Sequence, residues 1–239
     1  MKLVKIAETL RREVRELDFS APAAYVYHPL DYAWAPHSLY LEQWGGRGAS
    51  VLLVGMNPGP FGMAQTGVPF GAVDKVRGWL RCEAPVAVPE GTHPGRPVEG
   101  FACRRQEVSG RRLWGWAEAI SGTPEVFFET FFVHNYCPLL FLADSAANVV
   151  PEKLKAAERA RLLPACDRAL RSTVLELGIR QVVGVGNWAE LRAREALAGV
   201  DVEIGRILHP SPASPLARHD WGLQATEQLR ELGVRLPNS

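Results

Sequence analysis

Lysine is scarce in this chain: 5 of its 27 basic residues are lysines and 22 are arginines. Cysteine is scarce too. Cys82, Cys103, Cys137 and Cys166 are separated by 20, 33 and 28 residues, with no C-x-x-C pair to close on zinc or a cluster. They read as reduced, structural thiols of a compartment where disulfides are rare. No apolar run approaches the roughly 20 residues that a membrane-spanning helix needs. Met1 to Leu17 interleaves charges with apolar residues, unlike a secretory leader, so a cytosolic or nuclear location is expected. An excess of charge is also missing, since 27 basic residues face 26 acidic ones. The resulting net charge of +1 provides no global reason to expect a nucleic-acid partner, and any polyanion site must be local. The chain has no G-x-x-x-x-G-K-[ST], G-x-S-x-G or H-E-x-x-H sequence, which excludes a nucleoside-triphosphate cradle and argues against serine or zinc hydrolase chemistry.

What is present fits one globular domain over residues 1–239: 47% hydrophobic and 22% charged residues. A chain of this size buries roughly 70–75% of its unfolded surface without staples. Leu3, Ile6, Ala7, Leu10, Val14 and Leu17 recur at helical spacing and predict an amphipathic helix. Short apolar runs at Ser50–Gly55, Phe127–Val133, Gln181–Val185 and Val202–Leu208 read as buried strands. Helical patterns lie between them at Asp74–Leu80, Arg112–Ile120, Glu152–Leu177, where Pro164 is expected to break the helix, and Trp188–Leu197. This alternation predicts an α/β fold, three-layer α/β/α, around a central, mainly parallel four-stranded sheet. Pro85 to Gly100, rich in proline and glycine, reads as an irregular surface segment.

In an open parallel sheet, ligands bind outside the carboxyl ends of the strands. Four loops leave those ends: GMNPGPFGMAQTGVPFG (Gly55–Gly71), HNYCP (His134–Pro138), GVGN (Gly184–Asn187) and HPSPASP (His209–Pro215). The glycines and prolines of the first loop suit a rigid path that exposes backbone amides. Its polar side chains are Asn57, Gln65 and Thr66, and Asn57 reads either as a turn cap or as a site residue. His209 follows a strand and sits before a proline, either as a structural ring or as support for an anion formed during reaction. Asn135 offers both a donor and an acceptor, enough to read an imide edge such as that of uracil, or to satisfy a strand end. Phe70 is either core or a flat stacking surface. Gly184-Val-Gly186-Asn-Trp-Ala189 matches a dinucleotide fingerprint. It lies near the chain end, however, and Glu203 starts its strand where the ribose acid should end one. None of the four loops brings an Asp or Glu immediately after its strand.

GMNPGPFGMAQTGVPFG with VHNYCPLLF and HPSP, together with SGRRLWGW and PEVFFETFFVHN, resembles the single-strand-selective monofunctional uracil-DNA glycosylases, the SMUG branch of the uracil-DNA glycosylase superfamily. The likeness runs from about Tyr25 to Leu232 and implies an α/β/α fold and DNA, single- or double-stranded, as the partner. It also implies hydrolysis of the N-glycosidic bond of uracil and of oxidised uracils such as 5-hydroxymethyluracil, leaving an abasic site in base excision repair. No metal or cofactor is implied, and the chain is expected to be a monomer, cytoplasmic and on the nucleoid in a bacterium or nuclear in a eukaryote. By the same resemblance Asn57 holds the attacking water and His209 supports the charge that develops on uracil. Phe70 stacks on the extruded base and Asn135 reads its edge, while Met56, Gly59, Phe61 and Met63 line the base site.

Gly186, Asn187 and the stretch Ser211, Pro212, Ala213, Ser214, Pro215, Leu216 and Arg218 are the expected DNA-binding and wedge residues. Here the chain departs from its likeness: Ala213 stands where relatives carry arginine, so Leu216 or Arg218 is expected to substitute. Arg104, Arg105, Arg111 and Arg112 form a candidate basic patch. No lysine lies in the four loops and Lys75 is the nearest, which fits a glycosylase that does not cut the strand. The rival reading is a silent DNA binder, for which retention of both Asn57 and His209 has no use.

Overall fold

The computed structural model describes residues 2–211 and 220–237. Helix α1 (Lys2–Arg15) buries Leu3, Ala7, Leu10 and Val14, the stripe that the spacing predicts. Strand β1 (Tyr25–Tyr27) leads through α2 (Pro29–Tyr32) to α3 (Trp34–Trp44), which carries Tyr40 and Trp44 into the core. Strand β2 (Val51–Gly55) is buried along its whole length. After it come α4 (Met63–Thr66), α5 (Val73–Gly78), α6 (Val108–Ser121), α7 (Pro124–Thr130) and β3 (Phe131–Asn135). The rest of the order is β4 (Leu140–Leu142), β5 (Asn148–Val149), α8 (Ala156–Leu177), β6 (Gln181–Val185), α9 (Asn187–Ala196), β7 (Glu203–Ile207) and α10 (Trp221–Glu231).

The four expected strands form one parallel sheet in the order β3-β2-β6-β7. Its register is level: Gly55 pairs with Asn135 at one border, and Val185 pairs with Ile207 at another. The chain leaves β2 toward β3, then crosses back over β2 to β6 and on to β7. With right-handed crossovers, α4 to α7 therefore cover one face and α8 and α9 the other, which yields three layers. Connections leave β2 and β6 in opposite directions, so the ligand crevice of such a sheet falls at the carboxyl ends of those strands. A second sheet, antiparallel in the order β1-β4-β5, was not legible in the sequence because its strands span only three, three and two residues.

Two expectations are corrected. Phe127 to Thr130 is helix rather than strand: Thr123 caps it through Val126 N, Pro124 opens it, and β3 begins only at Phe131. The helical turn stacks Phe127 on Phe131 (centroids 5.1 Å apart), and Phe128 stacks on Trp44 (4.9 Å). Pro164 does not break α8. Pro164 and Ala160, whose carbonyl loses its usual i+4 donor, are both exposed, so water can serve that carbonyl. The buried face of Leu162, Ala165, Cys166, Ala169 and Leu170 holds the helix together.

Packing fixes the long loop after β2. Tyr32 Oη donates to Ala64 O (2.7 Å), His37 Nδ1 to Gly67 O (2.8 Å) and Trp114 Nε1 to Pro69 O (3.2 Å). Gln65, only 1% exposed, donates to Pro60 O and Pro97 O and accepts from the Glu99 and Gly100 amides. The proline-rich segment is thus clamped to the loop at Pro97–Gly100. We expect Gln65→Leu, which strands these backbone groups, to lower the unfolding free energy by about 3–5 kcal/mol. A urea titration showing a loss under about 1 kcal/mol would reject this role.

His37 and His134 line one small enclosed cavity of about 30 Å³. Burial pushes each imidazole down to about 4, and for His134 the charge that His37 would carry adds to this. The unfolded rings take up protons near the ordinary value of about 6.5. The folded state therefore binds fewer protons between pH 6.5 and 4, and stability falls as pH drops through that window. His134 Nε2 has no hydrogen-bond partner among the described residues. His134→Leu should accordingly flatten the fall of the thermal midpoint between pH 6.5 and 4; an unchanged slope would show that other groups govern it.

Candidate active site

The level strand ends bring three of the four loops around one cavity of about 380 Å³. Met56, Asn57, Gly59, Met63 and Phe70 come from the segment after β2, Asn135 from the end of β3, and His209 and Ser211 from the segment after β7. Gly55 makes this convergence possible. A Cβ there would lie 2.5 Å from Asn135 Oδ1 and 2.6 Å from the Phe70 ring, so only glycine lets the two meet over the strand end. Phe70 itself has φ of 53°, an uncommon conformation for a bulky residue. It is held by Ala72 N donating to Phe70 O (2.8 Å) and by α6, where Gly110 approaches so closely that a Cβ would lie 1.9 Å from Phe70 O.

Two amides are fixed in orientation. Asn57 Nδ2 donates to Leu139 O at 3.3 Å, and Asn135 Nδ2 donates to Met63 Sδ at 3.2 Å. Asn135 lines this cavity as well as the small one that it shares with His134, and His134 does not reach this cavity.

Burial lowers the His209 pKa, which favours a neutral ring. Its Nδ1 accepts from Ser211 N (3.1 Å), which leaves the neutral ring's proton on Nε2. The ring stands 6.3 Å from Phe70, centroid to centroid. Its backbone is braced by Arg112, which donates to Pro210 O (2.9 Å), and by Trp221, whose Nε1 donates to Leu208 O (2.7 Å). Gly186, at φ +97°, would bring a Cβ to 3.3 Å from His209 Cβ, so this glycine makes room for the histidine.

The other expected residues are distributed as follows. Phe61 lies outside the cavity lining, and its ring carries the guanidiniums of Arg96 and Arg105. Asn187 is exposed at the start of α9. Pro212, Ala213, Ser214, Pro215, Leu216 and Arg218 lie outside the described residues. Within the candidate basic patch, Arg111 pairs with Asp74 and Arg112 braces the His209 segment. Gln65 and Thr66 serve the loop's own hydrogen bonds. Among the described residues no group of three or more His, Cys, Asp or Glu is placed to hold a metal, and no helix is long and apolar enough to cross a membrane.

Sequence reasoning missed Glu107, Ser109, Asn148 and Val150, which also line the cavity. Glu107 stands where a Cβ on Gly59 or Gly62 would fall, at 2.5 and 2.8 Å. Burial raises its carboxyl pKa, and the Ser109 and Phe61 amides offset this only in part. Its one signal was its position just ahead of the α6 pattern, which any helix start shares.

Residues 43–230 match the profile of the Uracil DNA glycosylase superfamily. The chain is 51% identical over 227 residues to the single-strand selective monofunctional uracil DNA glycosylase of Mus musculus, covering 94% of this chain and 81% of the mouse protein. It is 52% identical to the Bos taurus protein of the same description, with 94% and 84% covered. A crystal structure of Pedobacter heparinus SMUG2 superposes with a TM-score of 0.65 at 17% identity, covering 95% of this chain and 97% of that one, which is a likeness of fold.

The geometry around His209 can be read directly by long-range ¹H–¹⁵N imidazole spectra. Above pH 6.5 the ring should be the Nε2–H tautomer, and its titration midpoint should fall below 6.5. An Nδ1–H tautomer, or a midpoint above 6.5, would contradict the Ser211 contact or the burial.

Proposed function

The chain belongs to the uracil DNA glycosylase superfamily, and from that premise we propose that it hydrolyses the N-glycosidic bond of uracil in single- and double-stranded DNA. The product is an abasic site, with no cut in the strand. The observation that carries this reading is the meeting of Asn57, Phe70, Asn135 and His209 on one cavity at the strand ends.

The C1′–N1 bond breaks with its electron pair going to uracil, which leaves as a delocalised anion while the deoxyribose gains oxocarbenium character. Water adds to C1′, and the proton it gives up passes to solvent or to the departed uracil anion. The protein's task is to stabilise separating charge with dipoles already in place. A neutral His209 would present Nε2–H to the uracil oxygen that becomes negative. Asn57, with its NH₂ group tied to Leu139 O, would offer its carbonyl oxygen to the attacking water. Asn57 cannot ionise, so it would orient the water without taking its proton in the slow step. Asn135 would read the uracil edge, and Phe70 would stack on the ring once the base has left the helix. Oxidised uracils such as 5-hydroxymethyluracil belong to the same substrate set. The chain would act as one domain and as a monomer, cytoplasmic and nucleoid-associated in a bacterium or nuclear in a eukaryote.

Incubation with a uracil-containing oligonucleotide, followed by alkaline cleavage, should yield the shortened product. No product from the intact protein would favour the silent binder. Asn57→Ala should lower single-turnover excision at least about a hundredfold while DNA binding persists. Near wild-type excision by that variant would remove Asn57 from its role.

A further inference from the structure

Many arginines of this chain are neutralised within the fold. Arg11 and Arg15 share Asp31, Arg77 faces Glu83, and Arg192 faces Asp167 and Glu195. Arg96 and Arg105 differ: among the described residues neither has a carboxylate within ion-pair distance. Each instead lies over the Phe61 ring, with its guanidinium carbon 5.2 Å (Arg96) or 5.1 Å (Arg105) from the centroid. Those distances hold the two guanidiniums no more than about 10 Å apart, within roughly one Debye length at 0.1 M salt, where like charges repel.

The ring is anchored at the cavity rim. Phe61 sits between Pro60 and Gly62, which both line the cavity, and Arg105 precedes the cavity-lining Glu107 by two residues. The Arg96 backbone is held from both sides, its N–H donating to His93 O (2.8 Å) and its carbonyl accepting from Tyr27 Oη (2.7 Å). The Nε of Arg96 is buried with no hydrogen-bond partner among the described residues. Contact with an aromatic face is worth only about 0.5–1 kcal/mol at an exposed site, and it does not remove the repulsion between two cations on one ring. An anion within reach of both would.

We propose that Phe61 is a mount for a phosphate clamp: Arg96 and Arg105, fixed on its ring, grip the phosphodiester backbone of the strand whose base enters the cavity. This inference rests on the DNA substrate proposed above, and it moves Phe61 from contact with the base to support of the backbone. Forked guanidiniums suit bidentate contact with phosphate oxygens.

Binding of a fluorescent single-stranded oligonucleotide without uracil, followed by anisotropy over a range of salt concentrations, tests the clamp apart from catalysis. The Arg96→Gln/Arg105→Gln double variant should raise Kd about tenfold at 0.1 M salt. It should also reduce the slope of log Kd against log salt by about 1.4, the loss of two single-strand phosphate contacts. Phe61→Leu, which keeps both charges and removes the ring, should weaken binding by a smaller factor. Arg47→Gln/Arg180→Gln, an equal loss of two charges placed ahead of β2 and β6 at the opposite end of the sheet, controls for net charge. The clamp is overturned if the Arg96→Gln/Arg105→Gln variant, melting like the wild type, binds with unchanged Kd and slope, or if Arg47→Gln/Arg180→Gln weakens binding as much. Excision by the wild type is scored separately, so failure of the clamp and failure of the glycosylase reading remain distinct results.

Discussion

Gly55 ends the central strand without a side chain, and the volume that a Cβ would fill is where Asn135 and Phe70 come together. That constraint organises the site. The parallel register puts Gly55 beside Asn135, so the polar group that can read a base arrives on the neighbouring strand at the same level. The ring that can stack on the base arrives from the other end of the loop that Gly55 begins. A larger residue at 55 would drive the two apart.

A loop that brings functional groups so close together must be rigid, and its rigidity comes from outside it. Tyr32, His37 and Trp114 each donate to a loop carbonyl, and Gln65 joins the loop to Pro97, Glu99 and Gly100. The histidine across the cavity is set in a similar way. Ser211 fixes which nitrogen carries the proton, burial favours the uncharged ring, and Arg112 and Trp221 hold the segment that bears it. Preorganised dipoles act on developing charge without having to reorient, which is what a reaction that expels an anion requires.

Segments with strong local patterns were legible in the sequence. The four strands, the helix stripe of α1 and the strand-end loops stand close to where periodicity and turn chemistry put them. The errors came where tertiary packing outweighed a local rule. Pro164 is tolerated because its side of α8 faces water, and Phe127 to Thr130 is helix because a Thr-Pro start and aromatic stacking outweigh the β-propensity of phenylalanine. Within the first loop, Asn57, Gln65 and Thr66 looked alike as polar residues. Only Asn57 faces the cavity, a difference set by which backbone groups lie nearby.

By itself the sequence determined the class of fold and pointed to the edge of the sheet where the candidate site lies, while the family came from the likeness of its loop motifs to known ones. Those properties depend on hydrophobic period and on the backbone freedom of glycine and proline, which act over short stretches of chain. The tertiary structure decided which nitrogen of His209 holds the proton, that Phe61 carries two arginines, and that Glu107 borders the cavity. The last two join residues far apart in the chain and the first a ring and an amide two residues on, and all depend on distances and burial that exist only once the layers have packed. The scarcity of lysine takes its meaning the same way: composition counted the arginines, and packing decided which carboxylates neutralise them and which ring holds two of them at the cavity rim.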